Sequence, residues 1–278
     1  MALTLFDCNA MIGGRMARSA GEVQTVEDLL RELDHLGVAE ALTYHALAKE
    51  YSPEIGNALL LQEIRGTGRL HPCWVLLPAH TEEMEPARVL IPRMLSRGVA
   101  AVRLFPSPPV PLPEFSDQLH HYALVRTVVG DLLEALEAHR VPLFLEIMNL
   151  SSQMLVGWEQ LEWLLSTFPK LPVVIVGTRH RDNRTLYAFL ERFPQLAFDI
   201  SLYAIHRGIE DVARRFGVDR MLFGTGLPVY AGGGAVVQLA SAEIPEEQKQ
   251  MIAADNLRRL LARIIHEEHV NDPGLSEQ

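Results

Sequence analysis

The sequence predicts an α/β fold built as a single (β/α)8 barrel, and three observations support that prediction. Short apolar runs alternate with longer segments whose apolar residues recur at helical spacing. Eight such pairs follow one another with no connection that suggests a domain break. The length of 278 residues also fits, because a barrel of this kind needs about 250 residues. We therefore predict one barrel over residues 1–265 and a polar tail over 266–278.

Each predicted strand is a short apolar run bounded by glycine, proline or polar residues. The predicted strands cover residues 3–9, 39–45, 72–77, 99–105, 142–147, 172–177, 196–200 and 221–224. Continuous apolar runs are typical of parallel strands that are buried on both faces. An open doubly wound sheet is the alternative, but the Gly13-Gly14 turn after the first strand lacks the spacing of a nucleotide-binding loop. The barrel is therefore favoured.

The helices between these strands are predicted from their ends as well as from their periodicity. Thr25 is a predicted N-cap for the first helix, which closes at Gly37. Pro53 begins the next helix, and Pro245 begins a last long helix that continues to residue 264. Residues 232–234 are three glycines, for which we predict a turn or a backbone cradle for an anion.

The segment of residues 105–120 differs from the other connections because it carries five prolines. Proline lacks the backbone N–H that helices and central strands require, so regular structure is not predicted here. A connection of this length in a compact domain is typical of a lid or a binding loop. We predict such a loop beside the functional end of the barrel.

Composition and charge exclude several classes of function. Hydrophobic residues make up 48% and charged residues 22%, as in ordinary soluble domains. The net charge of −10 argues against nucleic acid or an anionic membrane as a partner. No run reaches the roughly 18 apolar residues of a membrane span, and no signal-like segment opens the chain, so we predict a cytoplasmic protein. Cys8 and Cys73 lie in separate predicted strands and do not indicate a disulfide scaffold.

Three candidate functional residues lie at the carboxyl ends of predicted strands, which form the catalytic rim of such barrels. The guanidinium of Arg103 fits a substrate carboxylate, and the alternative is an internal salt bridge to Glu146 or Asp7. Glu146 follows an apolar run in which burial would raise its pKa toward that of a general base, whereas a bond to Arg103 would keep it ionised and inert. His45 is a candidate general acid or base, and a histidine that is hydrogen-bonded to a loop carbonyl is the alternative.

Further polar residues at the same rim are candidates for substrate binding. Arg179 and His180 follow the sixth strand and are suited to an anionic group. Asn9, Thr178 and Asp199 complete the predicted binding set, with a purely structural hydrogen-bond network as the alternative for them. Strand alternation places Cys8 off the face that Asp7 and Asn9 share, so we predict no nucleophilic role for this cysteine.

Several segments resemble the metal-dependent amidohydrolases of the aminocarboxymuconate-decarboxylase type. Residues 223–228 read Phe-Gly-Thr-Gly-Leu-Pro and are similar to the eighth-strand run Phe-Gly-Ser-Asp-x-Pro of that family. Residues 6–13 resemble its opening Asp-x-His-x-His-x-Gly, and residues 98–104, 141–146, 193–201 and 256–261 are similar to later segments in the same order. The resemblance covers nearly the whole chain and implies the (β/α)8 fold.

The resemblance also implies that the ancestral metal site is dismantled. The family's metal-binding positions fall here on Asn9, Met11, Glu146, Thr178 and Gly226. Only Glu146 is a good zinc ligand, whereas a zinc site usually needs three or four. We therefore predict no metal cofactor and no other cofactor.

Two functions of different classes remain open at this stage. The first is a metal-independent hydrolase, or with less support a decarboxylase, that acts on a small carboxylated compound such as a lactone or an activated ester. The second is a catalytically inactive barrel that binds a small anionic ligand as a regulatory protein. In both cases the predicted partner is a small anionic molecule, and a homodimer is left open.

Overall fold

Eight parallel strands form the centre of the computed structural model, which describes residues 3–17, 21–108, 120–148 and 154–266. Within these residues the strands pair in chain order from first to last. They are β1 (Leu5–Ile12), β2 (Val38–His45), β3 (Leu70–Val75), β4 (Ala101–Leu104), β5 (Leu143–Glu146), β6 (Val173–Val176), β7 (Leu196–Asp199) and β8 (Met221–Leu222). The predicted fold class is confirmed as a single (β/α)8 barrel.

Backbone hydrogen bonds between the last and first strands close the barrel. The N–H of Cys8 donates to the carbonyl of Phe223 over 2.9 Å, and the N–H of Gly226 donates to the carbonyl of Asn9 over 3.0 Å. These bonds continue past Leu222, where β8 ends, into the loop that follows it. The loop after β8 is therefore fixed against β1 by main-chain contacts at the carboxyl end of the barrel.

Helices cover the outside of the barrel between successive strands. They are α1 (Val26–Leu36), α2 (Ala46–Glu50), α3 (Pro53–Glu63), α4 (Ala87–Ser96), α5 (Arg126–Ala138), α6 (Trp158–Thr167), α7 (Asn183–Arg192), α8 (Gly208–Phe216), α9 (Gly233–Ser241), α10 (Glu246–Gln250) and α11 (Asn256–Leu261). The predicted caps of the first helix are confirmed: the Thr25 hydroxyl accepts a hydrogen bond from the N–H of Asp28, and Gly37 is left-handed at φ 70°.

Near the end of the chain, the structure differs from the predicted glycine turn and confirms the predicted last helix with one irregularity. The glycines of residues 232–234 lead directly into α9, which begins at Gly233, rather than forming a free turn or cradle. The predicted last helix begins after Pro245 as expected and continues through a π-helical turn, Met251–Asp255, which separates α10 from α11. This wide turn presents the carbonyl of Ile252 to the N–H of Phe223 over 3.0 Å, so a contact with the strand end stabilises the irregularity.

The first strand carries a bulge that changes which side chains face the barrel interior. Its pairing with β2 slips between Asp7 and Ala10, so simple alternation fails there. Cys8 packs with Phe6 and Met11 in one buried apolar cluster. Burial raises the pKa of the Cys8 thiol well above its ordinary value, which makes this cysteine a poor nucleophile for a different reason from the predicted one.

Two predicted segments fall largely or wholly outside the described residues. Most of the proline-rich loop, residues 109–119, is one of them, and the tail from residue 267 onward is the other. Within the described parts of the chain, no helix has both the length and the apolar composition that a membrane crossing requires.

Candidate active site

A buried carboxylate joins the two ends of the sheet at the carboxyl end of the barrel. One oxygen of Asp7 accepts hydrogen bonds from the N–H of Asn9 over 2.8 Å and the N–H of Thr225 over 2.9 Å. Its other oxygen accepts a hydrogen bond from the Thr225 hydroxyl. Burial raises the pKa of Asp7 to about 6, although these hydrogen bonds act in the opposite direction. Asp7 therefore holds β1 against the loop after β8, and both of its carboxylate oxygens accept hydrogen bonds there.

This raised pKa makes the stability of the protein depend on pH in a defined direction. The native state holds the Asp7 proton more tightly than the unfolded chain does. The free energy of unfolding therefore falls as the pH rises from 3.8 through about 6, because the native state must then ionise a buried carboxyl group. We predict that Asp7→Asn, whose amide replaces the protonated acid, is more stable than the parent by roughly 2 kcal/mol near neutral pH. Urea unfolding of both proteins across this pH window measures the difference, which should vanish at its acid end.

Asp28→Asn is the matched control for this experiment. Backbone hydrogen bonds from Thr25 and Gln24 lower the pKa of Asp28, so its contribution to stability is present at neutral pH and lost on acidification. The two variants should therefore change stability in opposite directions at neutral pH. A parent protein and an Asp7→Asn variant with the same pH dependence would contradict the assignment.

Arg103 is buried inside the barrel with an exposed fraction of only 2%. Its guanidinium carbon lies 4.3 Å from the ring centre of Tyr44 and 5.4 Å from that of Phe144. One terminal nitrogen donates to the Asn9 side-chain oxygen over 2.7 Å and to the Cys8 carbonyl over 3.4 Å. Its Nε is buried without a hydrogen-bond partner among the described residues. The guanidinium is thus held by two aromatic rings and an amide and retains unused donor capacity.

The internal salt bridge that the sequence left open for Arg103 is not formed. None of the ion pairs between described residues includes Arg103. Asn9 instead connects Arg103 to Asp199, because its amide nitrogen donates to a carboxylate oxygen of Asp199 over 3.4 Å. Burial raises the pKa of Asp199, and the Gly177 N–H, the charge of Arg103 and the Asn9 bond oppose that rise. The predicted polar network between Asn9 and Asp199 is therefore present.

Glu146 forms an ion pair with a residue that sequence reasoning missed. Lys49 Nζ lies 3.1 Å from a carboxylate oxygen of Glu146, and the exposed fractions of the two side chains are 6% and 15%. The Lys49 ammonium also lies 5.1 Å from the ring centre of Phe105. Lys49 belongs to the short helix α2, which directly follows β2. The sequence signal that could have pointed to it is a lysine that follows the short apolar run Ala46-Leu47-Ala48.

Tyr230 covers the place where the resembled family carries its metal-binding aspartate. A Cβ added to Gly226 would lie 2.2 Å from the nearest ring atom of Tyr230, so the ring fills the space of that side chain. Burial raises the pKa of the Tyr230 hydroxyl above its ordinary value, as do the nearby charges of Glu146 and Asp199. The hydroxyl therefore stays protonated at neutral pH.

A small cavity of about 20 Å³ lies among these groups at the carboxyl end of the barrel. Asn9, Tyr44, Lys49, Glu146 and Tyr230 line it together with the apolar residues of the loop after β8. A water molecule needs roughly 10–15 Å³ of such space, so the cavity holds about one water. Any larger ligand requires a movement of its walls, and Tyr230 forms one of them.

His45 is not among the residues that line this cavity. Its Nδ1 accepts a hydrogen bond from the N–H of Leu47 over 3.0 Å, which caps α2, and its Nε2 lies 3.5 Å from a carboxylate oxygen of Glu63. The imidazole packs against Gly13, where an added Cβ would lie 2.5 Å from the ring. Burial lowers the pKa of His45, and Glu63 offsets part of that shift. The structure does not bring His45 together with Glu146 at the cavity.

The three candidates after β6 separate into different environments. The buried hydroxyl of Thr178 donates to the carbonyl of Asp199 over 3.3 Å. The N–H of Arg179 donates to the Asp182 side chain over 2.9 Å, which caps the following turn. Arg179 lies close enough to Tyr230 for its charge to affect the hydroxyl, whereas His180 is exposed. Of these three, Arg179 is the best placed for an anion at the cavity.

The residues present do not fit a divalent metal. The positions that the resemblance assigns to ligands are Asn9, Met11, Glu146, Thr178 and Gly226, and one carboxylate stands among them. That carboxylate is bound to Lys49, and the hydroxyl of Thr178 is hydrogen-bonded to a backbone carbonyl. Within the described residues, no group of three or more His, Cys, Asp or Glu side chains is placed to hold a metal ion.

Eight strands with polar side chains gathered at their carboxyl ends define a (β/α)8 barrel protein with a rim site. The chain belongs to the amidohydrolase family, because the sequence model of that family matches residues 64–263. This agrees with the resemblance derived from the strand segments. A comparison with curated proteins finds no match.

Solved structures of similar fold are distant in sequence. An uncharacterised TIM-barrel protein from Bordetella bronchiseptica is 18% identical with a TM-score of 0.68, over 94% of this chain and 99% of that one. A 2,6-dihydroxybenzoate decarboxylase from Rhizobium is 13% identical with a TM-score of 0.71, over 94% and 99%. A dihydroxybenzoic acid decarboxylase from a Polaromonas species, with bound manganese and the inhibitor 2-nitroresorcinol, is 13% identical with a TM-score of 0.67, over 94% and 97%. At these identities the likeness establishes the fold.

Proposed function

We propose that this amidohydrolase-family chain hydrolyses a small carboxylated compound, such as a lactone or an activated ester, without a metal ion. The observation that carries the proposal is the ion pair of Glu146 and Lys49 at the wall of the cavity. It provides a general base and a cation side by side at the carboxyl end of the barrel, where enzymes of this fold act. An activated ester needs less electrophilic assistance than an amide, so this pair suffices for it.

The two side chains divide the hydrolysis between them. Glu146 takes a proton from water as the water oxygen forms a bond to the ester carbonyl carbon, and the Lys49 ammonium stabilises the negative charge on the carbonyl oxygen. The bond from carbon to the leaving oxygen then breaks, and Glu146 returns its proton to that oxygen. The products are a carboxylic acid and an alcohol or enol, and Glu146 is regenerated.

We propose that a second set of polar residues, Asn9, Arg103 and Arg179, binds the carboxylate of the substrate. Asn9 faces the cavity and is backed by the buried guanidinium of Arg103, whose Nε retains a free donor. Arg179 adds a positive charge on the side of Tyr230. The decarboxylases of similar fold are named for dihydroxybenzoates, which are planar carboxylates, and this supports a ligand of that class here.

Glu146→Gln is expected to reduce kcat at least about 100-fold on a carboxylated aryl or enol ester, because it removes the base while preserving shape. His45→Asn is the matched variant, since asparagine also caps a helix start but does not titrate near neutral pH. It should leave kcat within about twofold of the parent. The measurement is steady-state hydrolysis of a panel of such esters and lactones after treatment with a chelator. Loss of activity with His45→Asn and not with Glu146→Gln would overturn the assignment.

A second function is a binding protein without turnover, and one observation favours it. The cavity holds only about one water molecule beneath Tyr230, and the Glu146 carboxylate in its wall is already paired with Lys49. Calorimetric titration with planar carboxylates decides between the two. Saturable binding together with no hydrolysis of any ester in the panel would support the binding protein, whereas turnover that depends on Glu146 would exclude it.

A further inference from the structure

A second cavity lies at the opposite end of the barrel from the candidate active site. Its lining includes Pro172, Gln195 and Arg220, which immediately precede β6, β7 and β8, so it opens at the amino ends of the strands. It has a volume of about 220 Å³ and is closed on one side by α11. The proposed hydrolysis does not involve this end of the molecule.

The charge of this cavity is opposite to that of the whole protein. Among the described residues that line it, the basic side chains are Arg140, Lys170, Arg220, Arg259 and Arg263, and the acidic one is Asp219. The full chain carries a net charge of −10, so this concentration of positive charge is local. We call these five basic residues the basal cluster.

Two members of the basal cluster have protein partners. Arg259 pairs with the Asp219 carboxylate over 3.1 Å and also donates to the Asn256 side chain. Arg220 donates to the carbonyl of Leu190 over 2.5 Å, and burial lowers its pKa while the charge of Asp219 partly offsets that effect. The positive charge of Arg220 is therefore only partly compensated inside the cavity.

The other three members have no side-chain partner within the described part of the chain. Arg140, Lys170 and Arg263 form no side-chain hydrogen bond or ion pair there, and all three are exposed at the rim. The Glu137 carboxylate is close, but it accepts a hydrogen bond from the backbone N–H of Lys170. Their side-chain donors therefore have no acceptor among the described residues.

Helix dipoles alone account for only part of this arrangement. Arg140 and Lys170 follow the carboxyl ends of α5 and α6, where cations are favourable. However, Arg263 comes from the segment after α11 and Arg220 from the start of β8, and all of them converge on one concave surface. Convergence of unpaired guanidinium and ammonium groups on a cavity is the arrangement that binds multiply charged anions.

We propose that the basal cluster is a binding site for a small, multiply charged phosphate-type anion. The guanidinium groups of Arg220 and Arg259 form the floor of the site, and Arg140, Lys170 and Arg263 close around the anion from the rim. The volume suits a diphosphate-sized ligand rather than a large cofactor, whose pockets usually exceed about 300 Å³. The site is separate from the proposed active site and does not depend on the proposed function.

Calorimetric titration of the full-length protein with inorganic pyrophosphate tests this proposal. We expect saturable 1:1 binding that weakens as the salt concentration rises, and Lys170→Gln/Arg263→Gln should weaken it at least about tenfold. The matched control is Arg65→Gln/Arg97→Gln. These arginines follow α3 and α4 at the same end of the barrel but do not line the cavity, so the control removes the same charge.

Each outcome of this experiment is decisive once circular dichroism shows that both variants are folded. Loss of binding in Lys170→Gln/Arg263→Gln alone supports the site. Equal weakening of pyrophosphate binding in both double variants would mean that binding depends on the general surface charge, and it would overturn the proposal. An absence of saturable binding to the parent protein at low salt would overturn it as well.

Discussion

Replacing Arg103 with alanine is expected to lower the free energy of unfolding by about 4 kcal/mol, the largest effect that we predict. The substitution removes a guanidinium that is 2% exposed and packed between Tyr44 and Phe144, so it leaves a cavity between two aromatic rings. It also deprives the buried oxygen of Asn9 of its donor. Both losses occur inside the barrel, where water cannot replace the missing contacts without cost.

Urea unfolding of Arg103→Ala and Arg103→Met separates the two losses. Methionine restores most of the volume and none of the hydrogen bonds, so we expect it to recover about half of the lost stability. Arg103→Met should also abolish binding of a planar carboxylate, whereas Glu146→Gln should retain that binding. An Arg103→Ala protein within about 1 kcal/mol of the parent would contradict the structural part of this role.

The barrel and much of its rim could be predicted because their signals are local. Alternation of apolar runs and helical segments is a property of neighbouring residues, and it was sufficient to predict eight strands in order. A cation between small and apolar residues at a strand end singled out Arg103 as a residue that needs a partner. Its partner was not predicted correctly, since Asn9 is 94 residues away and competes with two carboxylates that are equally plausible from sequence.

Other features of the site depend on contacts that no local pattern encodes. Lys49 lies in a helix of five residues, where neither strand alternation nor helical periodicity assigns a direction to its side chain, and its partner Glu146 is 97 residues away. The bulge in β1 between Asp7 and Ala10 has no glycine or proline to mark it in the sequence. Long-range pairing and bulges are set by the closed sheet as a whole.

Gly226→Asp is expected to lower the free energy of unfolding by about 3 kcal/mol without creating a tight metal site. Gly226 has a φ of 71°, a left-handed conformation that costs energy for most other residues. In addition, the new Cβ would lie 2.2 Å and 3.0 Å from two ring atoms of Tyr230, so the body of the ring must move. The described residues contain no group of three or more His, Cys, Asp or Glu side chains placed to hold a metal, and Glu146 is already paired with Lys49, so we expect the restored carboxylate to leave the ligand set incomplete.

A double-mutant cycle with Tyr230→Ala separates steric conflict from backbone strain. If the ring is the main obstacle, Gly226→Asp should cost about 2 kcal/mol less in the Tyr230→Ala background than in the parent, while the strain at φ 71° persists. Gly226→Ala is the control for the added Cβ without a charge. Urea unfolding measures the stabilities, and mass spectrometry of zinc-loaded, dialysed protein measures metal content. Stoichiometric zinc in Gly226→Asp would mean that the other side chains of the rim complete a metal site around the new carboxylate, and it would contradict this prediction.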